Sequence, residues 1–308
     1  MSFASLSGAL ILVAGLVFSL WSGPILALLG GAIAALLMTE PLRAQACSGG
    51  KHLLTLLVIA LGAGAPLSEL LELGGWGLLG SGLVIAAVLA LSALAARGLK
   101  MPLPVALLVG AGTAICGASA IAATGVAMRA RERDMLTAMG TVLALNGVAL
   151  VVLPPLGHAL GLDPHAFGVW AGAAIHDVAS VVGAAEAFDP AAVPAAITTK
   201  LARTLWIVPV SIGVGMWARE KGADRAPVSV PWGTLGFVAA SAAVSLLPAL
   251  RPWGERVAEA AHPAMAPALF LLGTRMSPKG LLQAGFRPLV LGLALWAVVL
   301  GLSYARLG

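Results

Sequence analysis

A chain of 308 residues that is 60% hydrophobic and only 10% charged cannot hide its apolar surface in a water-soluble core, because soluble domains average about 45–50% apolar and about 25% charged residues. The formal charge of +5 comes from lysines and arginines in the connections between apolar runs, where it bears on orientation in a bilayer. A soluble enzyme and a nucleic-acid-binding protein are both excluded as readings, and the expectation is one membrane domain over residues 1–308.

The first apolar run, Met1 to Trp21, has no Lys or Arg before it. A secretory signal wants a basic start, so this run is expected to be a retained helix. Further helices are expected at Ile25–Met38, Leu53–Ala65, Gly77–Ala96, Met135–Leu153, Leu205–Ala218, Trp232–Leu247, Ala264–Gly273 and Leu289–Ser303, with the first at Leu6–Leu20. Two segments, Leu103–Met128 and Phe167–Phe188, are less regular. The fold class is an all-α polytopic membrane protein of about 9–11 transmembrane helices, each needing about 20 apolar residues.

Most basic residues fall in five clusters: Arg43/Lys51, Arg97/Lys100, Arg129/Arg131/Arg133, Arg219/Lys221/Arg225 and Arg275/Lys279/Arg287. The positive-inside rule puts them on the cytoplasmic side. The second and third clusters share that side only if Leu103–Met128 enters the membrane and returns. The same parity applies to Phe167–Phe188 from the opposite face. Two broken or re-entrant segments are therefore expected, against the rival that both cross fully. Trp21, Trp76, Trp217, Trp232 and Trp253 lie near helix ends, as interfacial tryptophans do.

Leu61-Gly62, Leu70-Leu71 and Gly74 recur as Leu272-Gly273, Leu281-Leu282 and Gly285, 211 residues later. Pro41 and Pro252, and Ser92 and Ser303, share that offset. In the topology above the copies run in opposite directions, which points to an inverted-repeat, transporter-like architecture with repeat halves near 1–134 and 135–308. The offset does not map one broken segment onto the other.

Three constellations could carry chemistry. In the first segment, Thr113, Cys116, Gly117 and Ser119 interrupt an apolar run. A helix broken at membrane depth frees backbone groups tolerated only against protein or a wet cavity, and a helix starting there offers N–H groups to an anion. The alternative is a small-residue packing face. In the second segment, His176, Asp177 and Ser180 sit in an apolar stretch where ionisable groups are costly and mark function. Asp177 could take up a proton or bind a cation, and His176 could titrate near neutrality. The alternative is a structural pair. The third is Lys200 and Arg203, three apart and on one helical face, able to offset an anion's charge or to snorkel to headgroups. Asn146 reads as interhelical glue.

Other polar groups read as solvated or structural. His158, Asp163 and His165 match no metal-site spacing, and no metal or cofactor is expected. Glu69 and Glu72 read as an exposed helix end; Glu255, Arg256 and Glu259 read as an interfacial charged turn. Cys47 and Cys116 make no redox spacing. No nucleophile elbow or zinc-protease pattern occurs, so an enzyme is not expected.

The run Gly112-Thr-Ala-Ile-Cys-Gly-Ala-Ser-Ala-Ile, then His176-Asp-Val-Ala-Ser-Val-Val, with Lys200-Leu-Ala-Arg and the Leu272–Gly285 region, resembles the YeiH-type bacterial inner-membrane proteins, which carry a sulfate-exporter label. The resemblance implies an inverted-repeat secondary transporter of the cation:proton antiporter and anion-transporter kind. Two departures stand out. The family often has Gln where this chain has Ser180, and often a basic residue within the stretch matching Leu56–Ala65, which is apolar here. Together with the residues, this gives the functional expectation. The chain would carry a small anion, sulfate or an organic sulfonate, across the bacterial inner membrane, coupled to protons or sodium. Thr113, Cys116, Gly117, Ser119, His176, Asp177, Ser180, Lys200 and Arg203 would form the site, with Asp177 and His176 taking the coupling ion. The rival is a passive anion pore. A homodimer is an open assembly.

Overall fold

The computed structural model describes residues 3–64, 67–219, 232–274 and 285–307. Lys221, Arg225, Arg275, Lys279 and the Leu281-Leu282 echo lie outside the described residues. So do the side chains of Glu69, Glu72, Trp76, Trp217, Arg219 and Trp232. All regular structure among the described residues is helical, with no strand among them. In chain order the helices are α1 (Phe3–Ser19), α2 (Pro24–Leu37), α3 (Glu40–Gly62), α4 (Leu67–Gly98), α5 (Leu103–Ala114), α6 (Ala118–Ala127) and α7 (Glu132–Ala159). They continue as α8 (Pro164–Ala174), α9 (Val178–Phe188), α10 (Val193–Thr204), α11 (Ile207–Arg219), α12 (Trp232–Leu246), α13 (Arg251–Gly273) and α14 (Phe286–Tyr304).

Four stretches are long and apolar enough to cross a bilayer alone: Glu40–Gly62, Leu79–Gly98, Glu132–Ala159 and Phe286–Tyr304. A fifth forms if α12 and α13, bent by 109°, count as one broken span. Many large apolar side chains on α1, α2 and α4, such as Leu10, Ile33 and Leu83, face outward, as a lipid-contacting surface requires.

Several expected boundaries move outward. The helix expected from Leu53 begins at Glu40 and takes Arg43 and Lys51 into α3. The helix expected from Ala264 begins at Arg251, so Glu255, Arg256 and Glu259 sit on α13 and not in a turn. Hydropathy underestimates such ends because charged residues in an outer turn still complete the backbone ladder. Pro154 and Pro155 are inside α7, where neighbouring helices can re-satisfy freed backbone groups. Asp163 caps α8, accepting from Ala166 N at 3.0 Å, and His158 stacks on Phe188 at 4.1 Å. Among the described residues no cluster could hold a metal ion, and both cysteines are free.

Both irregular segments are re-entrant hairpins. In the first, a Cβ at Gly112 would touch Ile121, and one at Gly125 would lie 3.5 Å from Leu108. Residues nine and seventeen positions apart on one continuous helix would stand about 13 and 25 Å apart, so α6 folds back along α5. In the second, Phe167 near the start of α8 stacks on Phe188 at the end of α9, ring centres 3.9 Å apart. The first hairpin has its base at the start of α7, where Gly125 meets Met135. The second has its base at the end of α7, where Gly157 meets Phe167 and Phe188. They thus enter from opposite ends of α7, as the charge parity requires. Arg287 donates to Lys100 O at 3.1 Å, so Arg97, Lys100, Arg129–Arg133 and Arg287 gather at one end, the basic end. The positive-inside rule makes it cytoplasmic.

The 211-residue echo has a physical basis in α3 and α13. Both have 23 residues and a Pro in the first turn, and their bounds are offset by that same interval. They pack antiparallel: Gly50 meets Leu271, while Gly64 meets Ala258. A Cβ on Gly62 would run into the carbonyl of Phe237 on α12, and one on Gly273 into the carbonyl of Leu28 on α2. The two glycines that echo in sequence thus make equivalent close approaches in the two copies.

Candidate functional site

The chain breaks at Ile115–Gly117 and again at Ile175–Asp177, and both breaks sit beside the middle of α7. A Cβ on Gly117 would lie 3.3 Å from Val142 and 3.5 Å from the carbonyl of His176, so the hairpin tips touch. Gly117 has φ +65° and ψ −125°, a backbone state that only glycine adopts readily. It reverses the chain within three residues.

Each tip presents two helix ends. The last carbonyls of a helix have no partner within it and carry partial negative charge. On α5 and α8 these carbonyls converge on α10. Lys200 Nζ donates to Ile115 O at 3.3 Å and to Ile175 O. Arg203 donates through Nε to Ala114 O at 3.1 Å, through Nη1 to Ala173 O at 2.7 Å, and through Nη2 again to Ala114 O. Trp296 of α14 adds Nε1–H to Ala174 O at 3.0 Å. Lys200 is 1% exposed and Arg203 4%, so neither snorkels to a surface. They pin both hairpins to one helix.

The opposite ends are the N-termini of α6 and α9, and they differ. The first N–H groups of α9 are met by Asp177, whose Oδ1 accepts from Ser180 N at 2.8 Å. Its Oδ2 accepts from Ser180 Oγ at 3.2 Å and from Asn146 Nδ2. Asn146 Oδ1 in turn accepts from His176 N at 3.2 Å. Asn146, read from sequence as glue, is thus the clamp of the second tip. α6 has Gly117 at the capping position and no side-chain cap.

A cavity of 540 Å³ opens in front of these N-termini, lined by Cys116, Ala118, Ser119, Asn146, Asp177 and Ser180 among others. Lys51 and Thr55 of α3 and Met139 and Leu143 of α7 extend it toward the basic end. Its charged lining among the described residues is Lys51 and Asp177. Lys200 and Arg203 stand behind the tips, on the carbonyl ends of α5 and α8, and the carboxylate of Asp177 stands in front.

The expected site residues divide accordingly. Cys116, Ser119, Asp177 and Ser180 line the cavity, and Gly117 shapes it. Thr113 and His176 are buried, and neither the Thr113 hydroxyl nor either His176 ring nitrogen has a partner. His176 faces Trp296, ring centres 6.4 Å apart. Lys200 and Arg203 stand behind the tips, while Leu201 and Thr204 of the same helix face the cavity. Sequence reasoning did not mark Thr204 or Lys51 as lining residues. It also missed that Ala114-Ile115-Cys116-Gly117 and Ala174-Ile175-His176-Asp177 are a local echo sixty residues apart, which relates the two tips where the longer offset does not.

The sequence profile of the family described as Conserved hypothetical protein 698 matches residues 6–292. The UPF0324 membrane protein of Bdellovibrio bacteriovorus is 40% identical over 89% of this chain and 85% of its own length. The relative from Vibrio vulnificus is 39% identical over 81% of each chain, and that from Porphyromonas gingivalis is 40% identical over 92% of this chain and 86% of its own. No solved structure matches. With matches running nearly end to end, the chain belongs to the UPF0324 family of membrane proteins, the YeiH-type family.

Proposed function

We propose that the protein is a secondary active transporter of a small anion in the bacterial inner membrane, sulfate or an organic sulfonate being the substrate class. The observation that carries this reading is the asymmetry of the hairpin tips. At one tip a built-in carboxylate, Asp177, occupies the N-terminus of α9. At the other the N-terminus of α6 faces the cavity without a cap. A mobile anion there would receive the N–H groups and dipole that Asp177 supplies with charge next door. Ser119 and Ser180 add hydroxyls. Discontinuous helices meeting near the midplane are the way many carriers hold a substrate between alternating gates. Asp177 is the group that would take the coupling proton or sodium ion, and chemistry on the substrate is not part of this reading.

The test is uptake of labelled sulfate and of an alkyl sulfonate into proteoliposomes, with and without an imposed pH or sodium gradient, for wild type and Asp177→Asn. Accumulation above equilibrium that the substitution abolishes supports a coupled carrier. Flux that only equalises concentrations puts a passive pore first. No flux of either anion removes this substrate class.

A further inference from the structure

A second cavity, of 250 Å³, lies on the far side of the hairpin tips from the first, between α4, α8, α10 and α14. Ala173 of α8 and Thr199, Ala202 and Arg203 of α10 place one end of it at the hairpin tips, and Ser303, Arg306 and Leu307 at the end of α14 far from the basic end place the other, so it runs from the tips toward the outer side. Arg203 forms its floor and Arg306, just past the end of α14, its rim. Of the hydroxyls on its wall, Ser303 donates to Val299 O at 2.6 Å and Ser81 accepts from Trp206 Nε1 at 3.2 Å, which leaves Thr199 as the donor for a ligand, and no carboxylate lines it among the described residues. A guanidinium has five N–H donors. Arg203 commits three to the carbonyls of Ala114 and Ala173, leaving two. The Thr199 hydroxyl is buried and has no partner, a condition that an oxyanion would relieve.

We infer that this outer cavity is a second anion site, in which Arg203, Arg306 and Thr199 bind a tetrahedral oxyanion such as sulfate. Its place in a transport cycle rests on the carrier reading, but its occupancy does not. Arg203 belongs to both faces of the molecule. It holds the hairpin carbonyls with one edge and offers its remaining donors outward. An anion bound here stands behind the tips, one layer from the inner cavity.

The test is thiol labelling of Ser303→Cys in right-side-out spheroplasts. The two membrane-impermeant thiosulfonates used carry opposite charge, and wild type supplies the background from Cys47 and Cys116. The anionic reagent is expected to react about tenfold faster than the cationic one, the low end of electrostatic focusing in a charged cleft. Excess sulfate is expected to slow it. Arg306→Gln should remove the preference and the protection, Arg306→Lys should keep the preference, and Thr199→Val should weaken protection alone. Equal rates for the two reagents, absence of sulfate protection, or no labelling by either reagent would overturn the proposal. Labelling needs no turnover, so protected labelling without sulfate flux would sink the carrier reading and leave this site standing.

Discussion

Asp177 combines two tasks that are separable by substitution. As a cap it accepts from Ser180 N, Ser180 Oγ and Asn146; as a charge it sits on the wall of the cavity. Asn keeps one acceptor oxygen and the shape, so Asp177→Asn should keep the fold while losing coupled uptake. Asp177→Ala removes the cap and leaves Asn146 without its acceptor, which should cost about 1–2 kcal/mol of stability, read as a lower melting temperature in detergent. Lys200 is the complementary case. Its ammonium is buried against two carbonyl ends, and removing one partner of such an arrangement leaves unmet polar groups at a cost of about 1–3 kcal/mol. Lys200→Met should therefore lower the melting temperature and weaken anion binding together, whereas a purely substrate-contacting lysine would change binding alone.

At the scale of elements, the hairpins depend on a few backbone positions. Gly117→Ala forces an L-residue into a glycine-only region, a strain of about 1–3 kcal/mol. It also sets a methyl group against Val142 and the His176 carbonyl. The expected result is an expressed protein with reduced melting temperature and no anion binding in the inner cavity, read in an Arg306→Gln background; unchanged binding there would show that the tip geometry is not the site. Much of this level was legible in sequence. Arg97/Lys100 and Arg129–Arg133 flank the first segment and forced it to turn back, while the glycines at 62 and 273 announced the α3/α13 pair. What was not legible was direction. Lys200 and Arg203 share a helical face, but a face has no sequence label saying whether it meets a cavity or a carbonyl cluster. Asn146 looked isolated because its partners lie 30 and 31 residues away, across a chain reversal that periodicity does not reveal.

At the scale of the molecule, the inner cavity runs toward the basic end, while α9 and α13 close its other side. There Glu186 of α9 pairs with His262 Nδ1 of α13 at 2.5 Å, a link between the second hairpin and the antiparallel α3/α13 pair. Such a contact has to break if the cavity is ever to open outward. Glu186→Gln should raise labelling of Ala179→Cys from the outer side by an impermeant thiol reagent several-fold, about what a loss near 1 kcal/mol in a two-state equilibrium gives. Labelling that stays at the background level would show that this pair is not part of the closure.

The central claim is that the N-terminus of α6 binds the anion that Asp177 mimics at α9. Ser119 lies in the first turn of α6 and faces the cavity, so Ser119→Asp plants a permanent carboxylate there. A carboxylate at that position favours the helix by about 0.3–1 kcal/mol, but it repels a second anion by several kcal/mol. The measurement is calorimetric titration of sulfate into the nanodisc-held variant in an Arg306→Gln background, which silences the outer cavity, beside its melting curve. An unchanged or higher melting temperature is expected, with sulfate affinity weakened at least about a hundredfold. Wild-type affinity in a well-folded Ser119→Asp protein would contradict it.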